Sequence, residues 1–226
     1  PTATYWPTVT RQILPPEQAA GLIPCDRRLV APDDLRVMVT QQFGLAQTYE
    51  PADLVELSTF LDETVLRGLT LYIRQPVVEP LRQMIAEMQQ AGLNPSVLSA
   101  YRSYGEQSLA WNWWESQYPG RVAILSARPG YSEHQLGTTV DFGSPELDHL
   151  FHVDFGITAE GIWLKNNAYR FGFTLSYPDN TDQITGIKYE PWHFRYVGTS
   201  LAQTLFSSGQ ILTSWQLATL PPPCIP

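Results

Sequence analysis

Four reactive side chains lie in two short segments far apart in the chain, and a fold that uses them must bring those segments together. The first segment has His134, with Asp141 seven residues later. The second has Glu190, three residues before His193. Two histidines and one aspartate form a three-ligand set for a catalytic zinc ion, with a fourth position left for water. Glu190 would then be free to act as a general base, so the pattern predicts a metal hydrolase.

The composition favours one compact domain with extensions, although two small domains remain possible. The 226 residues are 43% hydrophobic and 12% aromatic, which is enough for a core. The formal net charge is −8, and lysine and arginine are scattered, which argues against a nucleic-acid surface and a basic membrane-binding face. No stretch approaches the roughly 20 apolar residues of a membrane span. We therefore expect neither a nucleic-acid partner nor a membrane span in this chain.

The two ends of the sequence carry little regular pattern. We predict an N-terminal extension packed on the body over residues 1–50, a catalytic domain over 51–206 and a C-terminal tail over 207–226. Cys25 and Cys224 lie near opposite ends and could pair in a secreted chain, which the sequence leaves open. The sequence begins without a methionine, so a trimmed chain and a mature form after signal-peptide removal are both open.

Helices and strands follow one another without regular alternation in the middle of the chain. Apolar residues at helical spacing predict a helix from Val77 to Met88, with Gly92 as its stop. Ser103 and Glu106 match a capping box, which predicts a helix with Gln107 in its first turns. The other predicted elements are strands over 97–101, 138–142, 173–177 and 189–196, and a helix from Thr158 to Phe171 followed by Gly172. This order favours an α+β fold with a central, mainly antiparallel sheet and flanking helices.

Glu190 and His193 cannot both face one point from a regular strand. Side chains alternate across a strand, so positions three apart face opposite sides. We therefore predict irregular backbone at Pro191. In the other segment, Gly137 is predicted to supply the sharp turn that lets His134 and Asp141 approach each other.

Neither short motif is specific by itself. Acidic residues are common at such spacings, and a lone histidine is more often a hydrogen-bonded structural residue than a ligand. His149 and His152 also stand close together, and we expect exposed or structural roles for both. The residues around the two motifs carry more information than the motifs.

Three longer segments occur in a characteristic order: 99–107 (SAYRSYGEQ), 129–141 (PGYSEHQLGTTVD) and 190–198 (EPWHFRYVG). They resemble the VanY-like D,D-carboxypeptidases, which belong to the LAS metallopeptidases with a hedgehog-like zinc peptidase fold. The resemblance covers roughly residues 50–200 and leaves both tails unmatched. It departs modestly at Thr139, where a small alanine is usual, and at Ala100, where glycine is usual.

The resemblance implies a zinc site and a base. In this sequence, His134, Asp141 and His193 would bind Zn²⁺. Glu190 would be the catalytic base and later the acid that protonates the leaving amine.

The resemblance also implies a pocket for the C-terminal carboxylate of a peptide. Arg102 would stabilise the developing oxyanion or hold that carboxylate, and Ser132 and Gln107 would help to grip a C-terminal D-alanine. An arginine fork suits a terminal carboxylate, and Arg102 lies between a predicted strand and a capped helix, where a side chain can point into a cleft. From the residues alone, a surface arginine, a loop serine and a solvated glutamine remain open.

Together these features predict a secreted or cell-envelope zinc carboxypeptidase, in the periplasm or the extracellular wall. Its partner would be a peptidoglycan stem peptide, from which it removes a C-terminal D-alanine by D-Ala-D-Ala cleavage. The close alternative is an L,D-carboxypeptidase on the tetrapeptide stem. A non-catalytic cell-wall-binding domain with a vestigial zinc site is the alternative from a different class.

Overall fold

The computed structural model of the chain describes residues 34–220. Cys25 and Cys224 lie outside this range, so their pairing stays a prediction. No helix in this part of the chain is both long enough and apolar enough to span a bilayer.

A four-stranded antiparallel sheet forms the centre of the molecule, in the order β3-β4-β6-β5. A separate antiparallel pair, β1-β2, lies outside it. The strands are β1 (Leu54–Glu56), β2 (Tyr72–Arg74), β3 (Ser96–Ser99), β4 (Thr139–Gly143), β5 (Phe173–Leu175) and β6 (His193–Tyr196). In the described part of the chain, every strand pairing is antiparallel, which confirms the predicted α+β class.

Helices and short 3₁₀ turns connect and cover the strands. The α-helices are α1 (Glu63–Leu66), α2 (Gln75–Gln90), α3 (Tyr104–Gln117), α4 (Val122–Leu125), α5 (Ala159–Asn167), α6 (Asp182–Thr185), α7 (Thr199–Ser208) and α8 (Leu212–Thr219). The 3₁₀ turns span Leu57–Thr59, Glu133–Leu136, Pro145–Leu147, Val153–Ile157 and Ala168–Phe171.

One face of the sheet belongs to the main apolar core. Val140 and Phe142 of β4 and Phe194 of β6 are buried there. The same core contains the apolar stripe of α2, formed by Val77, Leu81, Met84, Ile85 and Met88. Each such buried side chain stabilises the fold by about 1.5–3 kcal/mol relative to an exposed one. Because side chains alternate across a strand, Asp141 and His193 point to the opposite face.

That opposite face is also covered, since all five residues of β4 are buried. Part of the cover comes from the chain before β1, where Val37, Val39 and Leu45 form a small apolar cluster with Leu136. The amide of Leu45 donates a hydrogen bond to the carbonyl of Gly130 at 2.6 Å. Residues 34–49 therefore pack on the body near the segment that contains His134.

The stretch predicted as a tail from residue 207 contains helix α8, which the sequence analysis did not predict. Leu212 at its start is fully buried and packs with Ala202 and Leu205 of α7. A short helix with weak periodicity between a glycine and a run of prolines gives little signal in the sequence. Tertiary contacts rather than local pattern define it.

The predicted helices are present. Helix α2 contains the predicted stretch from Val77 to Met88 and ends before Gly92. The capping box of α3 is confirmed, because Ser103 Oγ accepts a hydrogen bond from the Glu106 amide at 3.2 Å and the Glu106 carboxylate accepts one from the Ser103 amide at 2.8 Å. Each cap of this kind contributes about 1 kcal/mol.

The strand predicted over 189–196 is wrong in its first half. Strand β6 begins at His193, because the residues before it form a turn in which the His193 amide donates to the Glu190 carbonyl at 3.1 Å. The helix predicted from Thr158 is capped by that residue, whose Oγ1 accepts from the Gly161 amide at 3.1 Å. It continues as a 3₁₀ turn before Gly172, as predicted.

Candidate active site

The two reactive segments meet on the covered face of the sheet. His134 lies in the 3₁₀ turn that precedes β4, Asp141 lies within β4, and His193 is the first residue of β6, directly opposite Asp141. His134 Nε2 is 3.0 Å from Asp141 Oδ2, and His193 Nδ1 is 3.1 Å from Asp141 Oδ1. One potential ligand atom from each residue lies within 4.8 Å of the others, and all three side chains are buried. The predicted convergence is present.

Gly137 makes the turn between His134 and β4. Its φ of +67° lies in the left-handed region, and its amide donates to the His134 carbonyl at 3.1 Å. A Cβ atom at this position would lie 2.8 Å from Cγ of Arg74. The turn therefore requires glycine for both its backbone conformation and its packing.

Hydrogen bonds leave one ring nitrogen of each histidine available toward Asp141. His134 Nδ1 lies 2.6 Å from the carbonyl of Ala100, which only accepts, so Nδ1 carries the hydrogen and Nε2 is the open nitrogen. His193 Nε2 lies 3.1 Å from Glu133 Oε2. A carboxylate at that position requires the hydrogen on Nε2, which leaves Nδ1 as the nitrogen toward Asp141.

The donor set fits a zinc ion. Two imidazole nitrogens and one carboxylate are the ligands of catalytic zinc sites. Asp141 Oδ1 is buried and makes no hydrogen bond of normal geometry with any described residue, although His193 Nδ1 is near it. A buried carboxylate oxygen without a hydrogen bond is costly, and a bound cation would satisfy it. The ring nitrogens that point away from Asp141, His134 Nδ1 and His193 Nε2, are each held by an acceptor. Histidines that bind a metal are usually held in this way.

The ionisable groups of the site are strongly coupled. Burial alone would lower the pKa of His193, but the adjacent carboxylates of Asp141 and Glu133 raise it to about 10. Burial alone would raise the pKa of Asp141, but His134 and His193 hold it well below its usual range. Burial lowers the pKa of His134 below its usual value, against the attraction of Asp141. A cation that binds here displaces the second proton of His193.

Glu190 lies at the rim of the same cluster. Its amide donates to the Tyr177 carbonyl at 3.1 Å, and its Oε2 is 3.6 Å from His193 Nδ1. The turn at Pro191 places Glu190 on the same side as His193, which confirms the predicted irregular backbone. Its side chain keeps 17% of its surface exposed, so water can reach it. Burial raises the pKa of Glu190 to about 8, with His193 and Arg102 acting in the opposite direction. A carboxyl group that titrates near neutral pH is suited to accept and return a proton.

Arg102 follows β3 and lies beside the cluster. Its backbone amide donates a hydrogen bond to the His134 carbonyl at 3.2 Å. Its Nη1 donates to Gln107 Oε1 and its Nη2 donates to Ser99 Oγ, both at 2.9 Å. Gln107 is buried, and its amide nitrogen donates to the Ala127 carbonyl at 2.7 Å and to Ser126 Oγ at 3.2 Å. In this structure Gln107 therefore holds Arg102, and direct contact of Gln107 with a substrate stays a prediction.

Ser132 lies on the other side of His134 in the chain. It is buried, and its Oγ accepts a hydrogen bond from the His134 amide at 3.3 Å. The structure therefore gives it a role in fixing the turn that carries His134. Its predicted contact with a terminal D-alanine stays a prediction.

The sequence reasoning assigned no role to Glu133 or Arg195, which the structure places directly behind His193. Arg195 Nη1 donates to Glu133 Oε1 at 2.8 Å, and burial, which would raise the pKa of Glu133, is outweighed by Arg195 and His193, which lower it to about 2. A strand-parity argument could have found Arg195, because it stands two residues after His193 and shares its face.

The other two histidines lie away from this cluster. His149 Nδ1 is 2.9 Å from Ser96 Oγ, and His152 Nδ1 accepts from the Asp154 amide at 3.1 Å at the start of a 3₁₀ turn. Among the residues 34–220, the group of His134, Asp141 and His193 is the one whose geometry could hold a metal ion. The structural roles expected for His149 and His152 agree with these contacts.

Comparison with known proteins places this chain in a family. Residues 70–199 match the model of the family VanY, described as D-alanyl-D-alanine carboxypeptidase. Among curated relatives, YodJ of Bacillus subtilis is 35% identical over 177 residues, which are 77% of this chain and 64% of that protein. A D-alanyl-D-alanine carboxypeptidase of Enterococcus faecium is 32% identical over 167 residues, which are 72% of this chain and 50% of that protein. The chain thus spans less than two thirds of the length of either relative.

Solved structures show the same architecture. A structure of the LD-carboxypeptidase LdcB has a TM-score of 0.71 and 34% identity, and the match covers 81% of this chain and 86% of that one. The structure of VanYB in complex with D-alanine-D-alanine has a TM-score of 0.67 and 28% identity, and the match covers 82% of this chain and 98% of that one. A VanY D,D-pentapeptidase in complex with Zn(II) has a TM-score of 0.66 and 26% identity, and the match covers 81% of this chain and 98% of that one. The hedgehog-like zinc peptidase fold predicted from the sequence is confirmed.

Proposed function

Because the chain belongs to the VanY family of D-alanyl-D-alanine carboxypeptidases, we propose that it is a zinc-dependent carboxypeptidase that removes a C-terminal D-alanine from peptidoglycan stem peptides. The observation that carries the proposal is the convergence of His134, Asp141 and His193 beside a partly exposed Glu190. A vestigial site would not need to keep both the ligand set and a partly exposed carboxyl group beside it.

In the proposed mechanism, the chain's own residues hold the metal and move the proton. His134 Nε2, Asp141 and His193 Nδ1 would hold the zinc ion. Bound there, zinc would supply Lewis acidity that polarises a peptide carbonyl and acidifies water. The Glu190 carboxylate takes the proton of the attacking water and returns it to the amine that leaves.

Arg102 would act on the substrate, at its carbonyl oxygen or at its terminal carboxylate. Its guanidinium is held by Gln107 and Ser99, so its charge is fixed in position before a substrate arrives. A fixed cation beside the scissile bond offsets negative charge that develops on the carbonyl oxygen, or binds the substrate's terminal carboxylate. Ser132, beside His134, would contribute a hydroxyl to the same pocket.

The second candidate is an L,D-carboxypeptidase that acts on the tetrapeptide stem. It is favoured by the similarity to the LD-carboxypeptidase LdcB, which is higher in identity and TM-score than the similarity to VanYB. The two activities share the zinc, the base and the terminal carboxylate, and differ in the residue before the scissile bond. We propose a secreted or cell-envelope location for either, since the substrate lies in the wall.

The test is mass spectrometry of stem peptides after incubation with the zinc-loaded protein. A pentapeptide ending in D-Ala-D-Ala, a tetrapeptide ending in one D-Ala, and the same pentapeptide with a C-terminal amide are compared. We expect loss of one alanine from the pentapeptide and none from the amide. Loss from the tetrapeptide alone would establish the L,D activity instead, and zinc binding without alanine release from either would support the wall-binding alternative.

A further inference from the structure

Arg195 is a fully buried cation behind the metal site. It stands on β6 on the same face as His193, and its side chain has no exposed surface. Its Nη2 donates to the Leu35 carbonyl at 3.0 Å and to the Val37 carbonyl at 2.6 Å, while its Nη1 donates to Glu133. A buried guanidinium is costly unless it is paired, so this arrangement needs all three acceptors.

Glu133 connects Arg195 to the metal site through its two carboxylate oxygens. Oε1 accepts from Arg195 at 2.8 Å. Oε2 accepts from Ser176 Oγ at 2.6 Å and lies 3.1 Å from His193 Nε2. The orientation of the His193 ring thus depends on a carboxylate that is itself held from behind.

The outer acceptors lie outside the part of the chain that matches the family, residues 70–199. They are carbonyls of the segment Leu35–Val37. The side chain of Gln216 in α8 also holds this segment, donating to the Arg36 carbonyl at 3.0 Å and to the Val37 carbonyl at 3.2 Å. Chain segments from both sides of the matched region therefore meet at the Val37 carbonyl, which accepts hydrogen bonds from both Arg195 and Gln216.

We propose that Arg195 is a positioning residue for the zinc site, which acts through Glu133 on His193. Arg195 is itself held by the carbonyls of Leu35 and Val37, in a segment that Gln216 holds in turn. The inference rests on the proposed function in one respect, the binding of zinc by His193 Nδ1. A carboxylate on the outer nitrogen fixes the ring and its tautomer, and loss of such a partner typically weakens metal binding by about 10- to 100-fold. Arg195 keeps that carboxylate in place through its hydrogen bond to Glu133 Oε1.

The test measures zinc affinity with a competing chromophoric chelator, at fixed pH, in proteins that circular dichroism shows to be folded. Arg195→Met is expected to bind zinc about 10- to 100-fold more weakly than the wild type. The matched control is Arg170→Met, which removes the surface ion pair with Glu87 and should leave zinc affinity unchanged.

A double-mutant cycle shows whether Arg195 acts through Glu133. If it does, R195M should have little further effect on zinc affinity in an E133Q background. A lower melting temperature of R195M with wild-type zinc affinity would make Arg195 merely structural and would overturn the inference. Equal effects of R195M in both backgrounds would also overturn it.

The double variant E133Q/R195M covers the case in which R195M does not fold, because it leaves no unpaired buried charge. It should bind zinc at least tenfold more weakly than the wild type, and wild-type affinity would overturn the inference. Peptide hydrolysis by the wild type is measured in parallel. Zinc binding that depends on Arg195 without hydrolysis would refute the proposed function and leave this inference standing, whereas a wild type that binds no zinc would refute both.

Discussion

The two histidines of the site present different ring nitrogens to Asp141, because each has its other nitrogen held by a different acceptor. A backbone carbonyl, that of Ala100, holds His134, and the Glu133 carboxylate holds His193. Burial lowers the pKa of the His134 imidazole below its usual value, whereas the carboxylates of Asp141 and Glu133 outweigh burial at His193 and raise its pKa to about 10. The two ligands therefore enter metal binding in different protonation states.

This difference predicts that zinc binding is pH-dependent. His193 with a pKa of about 10 carries two protons at neutral pH, and zinc must replace the one on Nδ1. Apparent zinc affinity should therefore rise about tenfold per pH unit between pH 6 and 8. Titration calorimetry in buffers of different ionisation enthalpy should report release of about one proton. An affinity that is constant over this range, after correction for the buffer, would contradict the assigned protonation of His193.

Arg102 should affect catalysis more than stability. The variant Arg102→Ala removes the fixed charge beside the metal site, so kcat/KM should fall by about 10²–10³-fold. Zinc stoichiometry should stay that of the wild type, since Arg102 is not among the ligand group. Steady-state kinetics and zinc content check this, with Arg82→Ala as the control, because Arg82 is an exposed, ion-paired arginine on α2. A loss confined to thermal stability would make Arg102 structural.

Among the residues of the site, the ligand set and the base could be predicted from the sequence, but the residues that hold them in place could not. His134, Asp141, Glu190 and His193 could be predicted because their two short motifs stand within longer segments that resemble a known family. The pairing of Glu133 with His193 could not, since it depends on which strand face each side chain occupies after the register is set. Gln107 shows the same limit, because its contact with Arg102 depends on the bend between β3 and α3.

Among the elements, the register of β4 with β6 does most to build the site. Asp141 pairs with His193 and Thr139 pairs with Arg195, so one face of two neighbouring strands carries a metal ligand pair and its supporting cation. The turn before β6 then places Glu190 beside His193. A shift of register by one residue would send these side chains into the apolar core.

The turn at Gly137 should tolerate substitution less well than a glycine in open space. Gly92 has a φ of +80°, and no atom lies within 4 Å of the position that a Cβ would take there, whereas a Cβ at Gly137 would lie 2.8 Å from Arg74 Cγ. Gly92→Ala should lower the free energy of unfolding by about 1–2 kcal/mol through left-handed strain alone. Gly137→Ala should cost about 1–3 kcal/mol more through overpacking. Urea denaturation of both variants measures the difference, and equal losses would show that packing against Arg74 contributes nothing.

The existence and order of the elements could be predicted better than their ends. Helices α2 and α3 carry clear apolar periodicity and a capping box, and both were predicted. The strand predicted over 189–196 was too long because its sequence is rich in aromatic residues throughout. The hydrogen bond from the Glu190 amide to the Tyr177 carbonyl and the one within the turn determine where β6 starts. Helix α8 was missed because packing on α7, rather than local pattern, stabilises it.

In the whole molecule, the metal site is held from both faces of the sheet and from both flanks of the family domain. The apolar core under β4 and β6 fixes the strands. Residues 34–49 cover the face that carries the ligands, and Gln216 of α8 holds this cover. The fold therefore keeps an ionised cluster away from water except near Glu190. Such coupling of burial and charge makes the metal part of the folding equilibrium.

Zinc should stabilise the folded protein. At a free zinc concentration 100 times the dissociation constant, the stabilisation is about 2.7 kcal/mol if the unfolded chain binds none. Thermal unfolding with and without zinc should show a higher midpoint with the metal. The variant His193→Ala lacks one ligand, so its midpoint should shift little. An equal shift in that variant would mean that zinc acts at another place.

The central claim is that one site holds zinc through His134, Asp141 and His193 and uses Glu190 as its base. The most direct test measures zinc content and alanine release on the same sample of Glu190→Gln. The claim predicts wild-type zinc stoichiometry, because the ligands are unchanged, with turnover of the D-Ala-D-Ala pentapeptide lowered by about 10²–10⁴-fold. A zinc-loaded variant that releases D-alanine at the wild-type rate would contradict it.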